Sequence, residues 1–458
     1  MAEPRVIVVG AGPAGTRAAQ ALVRAGLRPL VVDEGRRSGG QIYRRQPEGF
    51  TRSYDALYGT EAGRARAIHE CFEGLAGQID YRPETLLWNV AEGHAWLEHA
   101  GEVEAVPYSA LIVCAGATDR LLPVPGWNLA GCYSLGGAQI ALKAQACAIG
   151  SEVAFLGTGP LLYLVAAQYV KAGARVAAVL DTSPLVARLA ALPDLVSQPD
   201  LLWTGAQLTL ALRRAGVPLL SGVRPLAIEG DPASGVSGIR IGTAGGTERT
   251  FACDAVGMGW HLRPETQIAD LARCAFAFDA PTRQWLPQTD PLGRAGTDRV
   301  YLAGDGARVL GARAAEVTGE LAALAALEDL GQSVDADRRR WLLAAKADYV
   351  RFARGLARAF PWPHDLAAAV PDATVVCRCE AVTAGTLRES VTDKGAVETN
   401  RAKAFSRVDM GRCQGRYCGA AAAEIVSAAR GEPVEQAGRL RGQAPVKPLS
   451  LAAMRIDL

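Results

Sequence analysis

Residues 5–34 constrain this chain more than any other stretch. Arg5–Val9 is a short β-branched run that reads as a buried parallel strand. It leads into Gly10-Ala11-Gly12-Pro13-Ala14-Gly15, an Ala-rich amphipathic helix to about Ala25, and a second strand, Pro29–Val32, ending at Asp33-Glu34. Strand, Gly-x-Gly-x-x-Gly turn, helix, strand and acid in this order form the dinucleotide-binding fingerprint. Gly10 allows the tight turn, Gly12 lets the backbone approach a pyrophosphate, and Gly15 lets the helix lie close to the strand. The helix N-terminus then offers unpaired N–H groups to phosphate. The acid accepts hydrogen bonds from ribose hydroxyls. Asp33 occupies the usual position, but one residue of slack would exchange it with Glu34, so both stand as candidates. Either carboxylate opposes a 2′-phosphate and argues against NADP in this unit.

At 458 residues the chain is long enough for about three domains. Its 49% hydrophobic and 21% charged residues exclude a disordered or collagen-like chain. A net charge of +2 leaves no electrostatic footprint for nucleic acid or an anionic membrane. The apolar patches around Leu161–Val170 and Leu321–Leu327 fall short of the roughly 20 residues that span a bilayer, so no direct membrane insertion is expected. The opening MAEPRVIVVG lacks the basic start and long apolar run of a secretory signal. A cytoplasmic protein with reduced thiols is expected.

Two later segments extend the first unit. Ala110–Gly116 (ALIVCAG) reads as a strand and small-residue turn, and Thr297–Asp305 as a strand ending in Gly304-Asp305, followed by a helix from about Gly311. Between them lies a second nucleotide-like unit. Its strand Glu152–Leu156 is followed by Gly157-Thr158-Gly159-Pro160-Leu161-Leu162, a helix, and a strand at Arg175–Leu180. Leu162 stands where the third glycine belongs and would hold helix and strand apart at the phosphate turn. No arginine pair is placed for a 2′-phosphate unless Arg188 swings in. A retained fold with weak or absent nicotinamide binding is favoured, with an adenine nucleotide left open. The stretch after Gly39-Gly40 (Gln41-Ile42-Tyr43-Arg44-Arg45) carries no redox-active Cys pair. Cys71, Cys114, Cys132, Cys147, Cys253 and Cys274 are scattered singly and are expected as buried structural thiols.

The other four cysteines are grouped. Cys377-Arg378-Cys379 and Cys413-Gln414-Gly415-Arg416-Tyr417-Cys418 lie within about forty residues, joined by what reads as two short helices. Four thiolates in a reduced compartment imply a metal site. An iron–sulfur cluster is favoured over zinc, for which Cys-x-Cys is an unusual spacing. Arg378, Arg412 and Arg416 alternate with the thiols and would offset the charge of a tetrathiolate cluster.

These motifs resemble known families. Residues 5–330 resemble the two-dinucleotide-binding-domain flavoproteins, whose first fingerprint binds FAD. The resemblance implies a doubly wound α/β fold with Asp305 on the ribityl or pyrophosphate region and Gly311 and Ala312 near the isoalloxazine. It also implies Pro13, Ala14, Gly40, Gln41, Leu87, Ala115, Gly116 and Gly304 as further cofactor-lining positions. Cys-x-Cys with Cys-x4-Cys resembles the small α-helical [2Fe–2S] domain of bacterioferritin-associated ferredoxin, with Cys377, Cys379, Cys413 and Cys418 as ligands. GGQIYRR, LLPVPGWNLAGCYSLGGAQ, CRCEAVTAG and MGRCQGRYCG resemble the flavin- and iron–sulfur-containing α subunits of heteromeric bacterial amine dehydrogenases. That family includes octopine and nopaline oxidases, hydroxyproline and proline dehydrogenases, and hydrogen cyanide synthase. It implies a flavoprotein β subunit of the amino-acid-oxidase kind that oxidises the C–N bond, with room for an FMN at the interface and for a small third subunit. This chain would relay electrons through the cluster and its own FAD to an acceptor. The family usually has a small residue where Cys132-Tyr133-Ser134 stand, so nothing catalytic is transferred there, and no general base is assigned.

The resulting division is an FAD-binding domain in two segments (1–145 and 256–335) around a degenerate NAD(P)-like domain (146–255). A helical linker (336–370), a [2Fe–2S] domain (371–430) and a tail (431–458) follow. Two rivals remain: a stand-alone NAD(P)H-dependent reductase of ferredoxin or quinone, and a redox-sensing scaffold. His261 and His364 read as surface or satisfied core histidines, Arg338–Arg340 as the solvated face of the linker helix, and Pro361-Trp362-Pro363 as a hinge. The Pro-interrupted tail is expected to wrap a neighbouring chain.

Overall fold

The computed structural model describes residues 4–454. Its first parallel sheet has the order Val300–Leu302, Ala110–Val113, Val6–Val9, Leu30–Val32, Asp80–Arg82. Val6–Val9 is buried throughout because both faces are covered. Val6 and Val8 pack toward helices Pro13–Arg24 and Ala312–Asp329, while Ile7 and Val9 pack toward the antiparallel meander Thr85–Ala91, His94–His99, Glu102–Pro107. Each such fully buried Val or Ile contributes about 1.5–3 kcal/mol. The two helices meet backbone to backbone: a Cβ on Gly319 would fall 2.1 Å from the Ala14 carbonyl oxygen.

A second parallel sheet repeats the plan, with the order Leu219–Ser221, Arg175–Asp181, Glu152–Thr158, Ala255–Trp260, Cys132–Ser134. It carries its own meander, Arg224–Asp231, Gly235–Gly242, Glu248–Ala252. The chain thus enters the first sheet, builds the second, and returns to complete the first with Val300–Leu302.

Helix Ala336–Ala359 follows, capped by the Asp335 carboxylate on the N–H groups of Asp337 and Arg338. Its arginine run is tied down rather than simply solvated: Arg338 forks onto Glu320, and Arg339 pairs with Glu328. Pro361-Trp362-Pro363 is a brace, not a hinge. The Trp362 ring is buried beneath the Arg120 guanidinium, 3.8 Å from its centroid, and its indole N–H donates to Glu424. Glu424 also accepts both arms of Arg283. Residues of four chain regions therefore share one buried polar junction, and breaking such a pair costs about 3–5 kcal/mol.

The C-terminal unit joins the hairpin Val375–Cys377 and Val382–Thr383 to helices Ala384–Thr392, Thr399–Ser406 and Gly419–Arg430. Val376, Leu387, Val408, Ala422 and Ile425 form its small core. The described part of the tail lies along its own chain. Arg439 forks onto Asp270, the Val446 N–H donates to the Trp88 carbonyl, and Lys447 pairs with Glu34. Residues 455–458 fall outside the described range. Among the described residues no helix is long and apolar enough to cross a membrane.

Candidate functional site

The first glycine turn is built for contact with a cofactor backbone. A Cβ on Gly15 would sit 1.7 Å from the Gly10 carbonyl oxygen, so only glycine lets the helix seat there. Pro13–Arg24 starts at Gly12 with Pro13 and Ala14 in its first turn and no side-chain cap, which leaves its N–H groups for an anion. Gly40 faces the turn, its Cα 3.5 Å from where a Gly12 Cβ would lie. Gln41 beside it holds the Arg44 guanidinium at 2.6 Å.

The two candidate acids separate in space. Asp33 turns inward and accepts from the N–H of Ala11 (2.5 Å) and Gly35 (2.6 Å). Burial pushes its carboxyl above the usual range, partly offset by those two bonds. Glu34 turns outward to Lys447 of the tail.

On the far side, the Gly304–Gly306 turn closes against Ala115 and Gly116. A Cβ on Gly306 would lie 3.0 Å from the Gly116 nitrogen. Asp305 Oδ1 accepts from Leu310 N (2.8 Å) and Gly311 N (2.9 Å), and among the described residues Oδ2 takes no hydrogen bond. Helix Ala312–Asp329 begins at Gly311 without a side-chain cap. A Cβ on Gly116 or Gly311 would meet open space within 4 Å. Two uncapped helix ends, a spare carboxylate oxygen and open ground beside two glycines fit a dinucleotide with a polar chain between its rings. Leu87 contributes no side chain here, since it is buried in the core with Ile7, Val9 and Leu30. Sequence reasoning missed Lys143, a solitary Lys on helix Leu135–Ala144. Burial pushes its ammonium down to about 8, and it donates to the Ile42 carbonyl beside Gly40-Gln41.

The second turn is filled. Leu162 is wholly buried among Leu135, Ala138 and Phe155. Asp181, at the position of Asp33, is inaccessible and spent: Oδ1 accepts from Thr158 Oγ1, Ser183 N and Ser183 Oγ, and Oδ2 from Tyr163 OH and Arg188. Arg188 has swung onto this acid rather than toward a phosphate. His261 lies over the turn, its Nδ1 3.2 Å from where a Gly159 Cβ would be, and its Nε2–H donates to the Phe360 carbonyl. It is a satisfied core histidine, as read from sequence, whereas His364 is partly exposed.

The four grouped thiols are contiguous. Cys418 neighbours Cys377 and Cys413, and Cys413 neighbours Cys379. The neighbouring Cys418 thiol pulls Cys377 down to about 6 and lowers Cys413 as well, while Cys418 itself is pushed up. No three His, Cys, Asp or Glu side chains among the described residues converge on a single ion position. A tetrahedral zinc would hold every thiol pair about 3.8 Å apart. Four neighbouring thiols without a single point of convergence fit two irons sharing four ligands better than one zinc. Arg416 is not a free counter-charge as expected: it forks onto Glu265 at 2.7 and 3.3 Å.

Among the six single cysteines, Cys114, Cys132, Cys253 and Cys274 are buried, and burial pushes their thiols up, Cys114 to about 12. Cys147 is exposed and Cys71 only half-buried, against expectation. Cys147 lies just beyond the end of helix Leu135–Ala144, where apolar sequence neighbours do not imply cover.

With two dinucleotide-type units and a four-thiol domain in place, comparison defines the class. Residues 4–326 match the pyridine nucleotide-disulphide oxidoreductase family, and residues 375–428 match the BFD-like [2Fe–2S] binding domain. The chain is 36% identical to the opine oxidase A subunit of Rhizobium meliloti, over 98% of this chain and 86% of that one. It is 28% identical to hydrogen cyanide synthase subunit HcnB of Pseudomonas aeruginosa, over 98% of both. The L-proline dehydrogenase of P. horikoshii shares the fold at a TM-score of 0.69 and 18% identity, over 99% of this chain and 79% of that one. The thioredoxin reductase of T. acidophilum does so at 0.51 and 18%, over 72% of this chain and all of that one. The chain belongs to the pyridine nucleotide-disulphide oxidoreductase family, in the branch of the opine oxidase A subunits. It is a flavin oxidoreductase with FAD and a [2Fe–2S] cluster as cofactors.

Proposed function

We propose that this oxidoreductase is the α subunit of a heteromeric dehydrogenase acting on a C–N bond of an amino acid, imino acid or opine. The saturation of Asp181 carries the reading. The second unit keeps the fold of a nicotinamide site, but its ribose acid is committed to five protein hydrogen bonds and its turn is filled by Leu162 and His261. Electrons then enter from a partner. The names of the relatives, the A subunit of opine oxidase and hydrogen cyanide synthase subunit HcnB, support a multi-subunit enzyme. The partner inferred is a flavoprotein β subunit of the amino-acid-oxidase kind, with room for an interfacial FMN and a small third subunit. Four free thiols suit a reducing, cytoplasmic setting.

Oxidation of CH–NH to C=N releases two electrons and two protons; FAD accepts electrons in pairs or singly, and a [2Fe–2S] cluster one at a time. In this chain Gly10, Gly12, Pro13, Ala14 and Gly15 would bind the pyrophosphate, Asp33 the ribose, and Asp305 Oδ2 the ribityl chain. Gly40, Gln41, Ala115, Gly116, Gly304, Gly311 and Ala312 would line the flavin. Cys377, Cys379, Cys413 and Cys418 would hold the iron.

An anaerobic visible spectrum before and after NADH or NADPH tests the reading. Flavin and iron–sulfur bands unmoved by either nucleotide, but bleached by an opine or imino acid once the partner subunit is added, are the expected result. Rapid bleaching by one nucleotide alone would make the chain a stand-alone reductase.

A further inference from the structure

The segment that begins in strand Leu262–Pro264 and runs into helix Gln267–Leu271 reaches the cysteine loop with every second residue. Arg263 Nη1 donates to the carbonyls of Gly415 (3.1 Å) and Arg416 (3.2 Å). Glu265 accepts both arms of the Arg416 guanidinium, in an ion pair less than a tenth exposed. Gln267 Nε2 donates to the Gln414 carbonyl at 2.6 Å. Arg263 lies on the strand, Glu265 just beyond it and Gln267 at the start of helix Gln267–Leu271, and together they form a comb along residues 414–416.

The comb stands on flavin-side ground. Pro264 pairs with Ala117 across an antiparallel ribbon, and the Glu265 N–H donates to the Gly116 carbonyl at 2.9 Å. One short ribbon therefore has the Gly116 turn at one end and the cysteine loop under its side chains. The carbonyls at 414, 415 and 416 point to the comb, which brings the Arg263 cation and the buried Arg416–Glu265 pair up against the cysteine loop. A cation near the cluster raises its reduction potential, because the reduced cluster carries one more negative charge.

We propose that Arg263, Glu265 and Gln267 are positioning residues for electron transfer between the two cofactors, fixing the Cys413–Cys418 loop against the Gly116 turn and setting the cluster's potential. The inference rests on the relay reading above. Each transfer takes one electron from the reduced cluster and adds it to the flavin. No bond is made or broken in the chain.

The test uses the full FAD- and iron-loaded protein and three variants. Potentials are read by EPR-monitored titration. Transfer is timed after photoexcited 5-deazaflavin, with EDTA as the sacrificial donor, reduces the cluster by one electron. Arg263→Met removes a cation and two carbonyl anchors and should lower the potential. Gln267→Leu removes one anchor and no charge and should lower it less. Glu265→Gln leaves Arg416 uncompensated and should raise it. Transfer should slow severalfold in all three. Gln267→Leu, the mildest change, keeps the test open if a charge variant fails to load iron. A wild-type cluster that holds its electron without passing it to FAD overturns the relay reading. Wild-type transfer, with potential and rate unmoved in the variants that load, overturns the comb alone.

Discussion

The two parallel sheets are the same design put to different uses. At residues 10–15 the third glycine lets the helix touch the turn, the helix end is uncapped, and the acid is only half-buried. At residues 157–162 the third position is a buried leucine, a histidine covers the turn, and the acid is wholly internal. Strand order and meander survive in both. The fold is therefore kept by apolar packing, while the two turns differ at three or four residues.

Moving the second unit's residue into the first should break the comparison hardest. Gly15→Leu places a Cβ within bonding range of the Gly10 carbonyl, a clash with backbone that no rotamer relieves. A cost above about 4 kcal/mol is expected, with little FAD-loaded protein recovered; flavin absorbance per chain is the measurement, and normal loading would refute the close-contact reading.

Asp181→Ala ranks next. It leaves the half-buried Arg188 unpaired and strips partners from Thr158, Tyr163 and Ser183. Thermal or urea unfolding should show a loss of about 3 kcal/mol, with the flavin spectrum and its indifference to NADH unchanged. If NADH instead begins to bleach the flavin, the acid was a gate and not a structural anchor.

The contrast between the units was only partly legible in the chain. Leu162 is visible in the motif, because one side chain at a known turn position has a local steric meaning. The saturation of Asp181 is not, since Thr158, Tyr163, Ser183 and Arg188 converge on it only once the sheet and the helix Leu185–Leu195 are assembled. Hydrophobic period announced the strands and the paired cysteines announced the cluster domain. The comb at 263, 265 and 267 has the strand period, but polar alternation alone reads as a solvated edge until its partner is known. Trp362 and the tail are hard to read for a related reason: proline-rich stretches suggest freedom, while their tethers to Glu424, Asp270 and Trp88 are all long-range.

The matching acid of the first unit should behave in the opposite way. Asp33→Asn keeps the bond geometry but weakens acceptance from ribose hydroxyls and the Ala11 N–H, so FAD affinity should fall by about 1–3 kcal/mol with a smaller change in stability. Glu34→Gln loses only an exposed pair with Lys447 and should cost less than about 1 kcal/mol. Fluorescence titration of the apoprotein with FAD separates the two; a larger effect at Glu34 would reassign the ribose contact.

The smallest effect expected is a pH dependence written into the second turn. Burial holds the His261 imidazole below its ordinary 6.5, and Arg120 adds to that, while the Phe360 carbonyl and Asp181 oppose it. The unfolded chain therefore takes up this proton at a higher pH than the folded one. The stabilisation is complete above about pH 6.5 and is lost as pH falls through the folded value, with a slope of at most about 1.4 kcal/mol per pH unit. His69, also depressed mainly by burial, titrates with the same sign, so the difference between wild type and a variant isolates His261. His261→Asn suits the residue's left-handed backbone and removes the titration. Melting temperatures from pH 8 to 5 should fall less steeply in the variant. Parallel curves would mean that the ring over Gly159 is wetter than its neighbours suggest, and the second turn would again be open to a ligand.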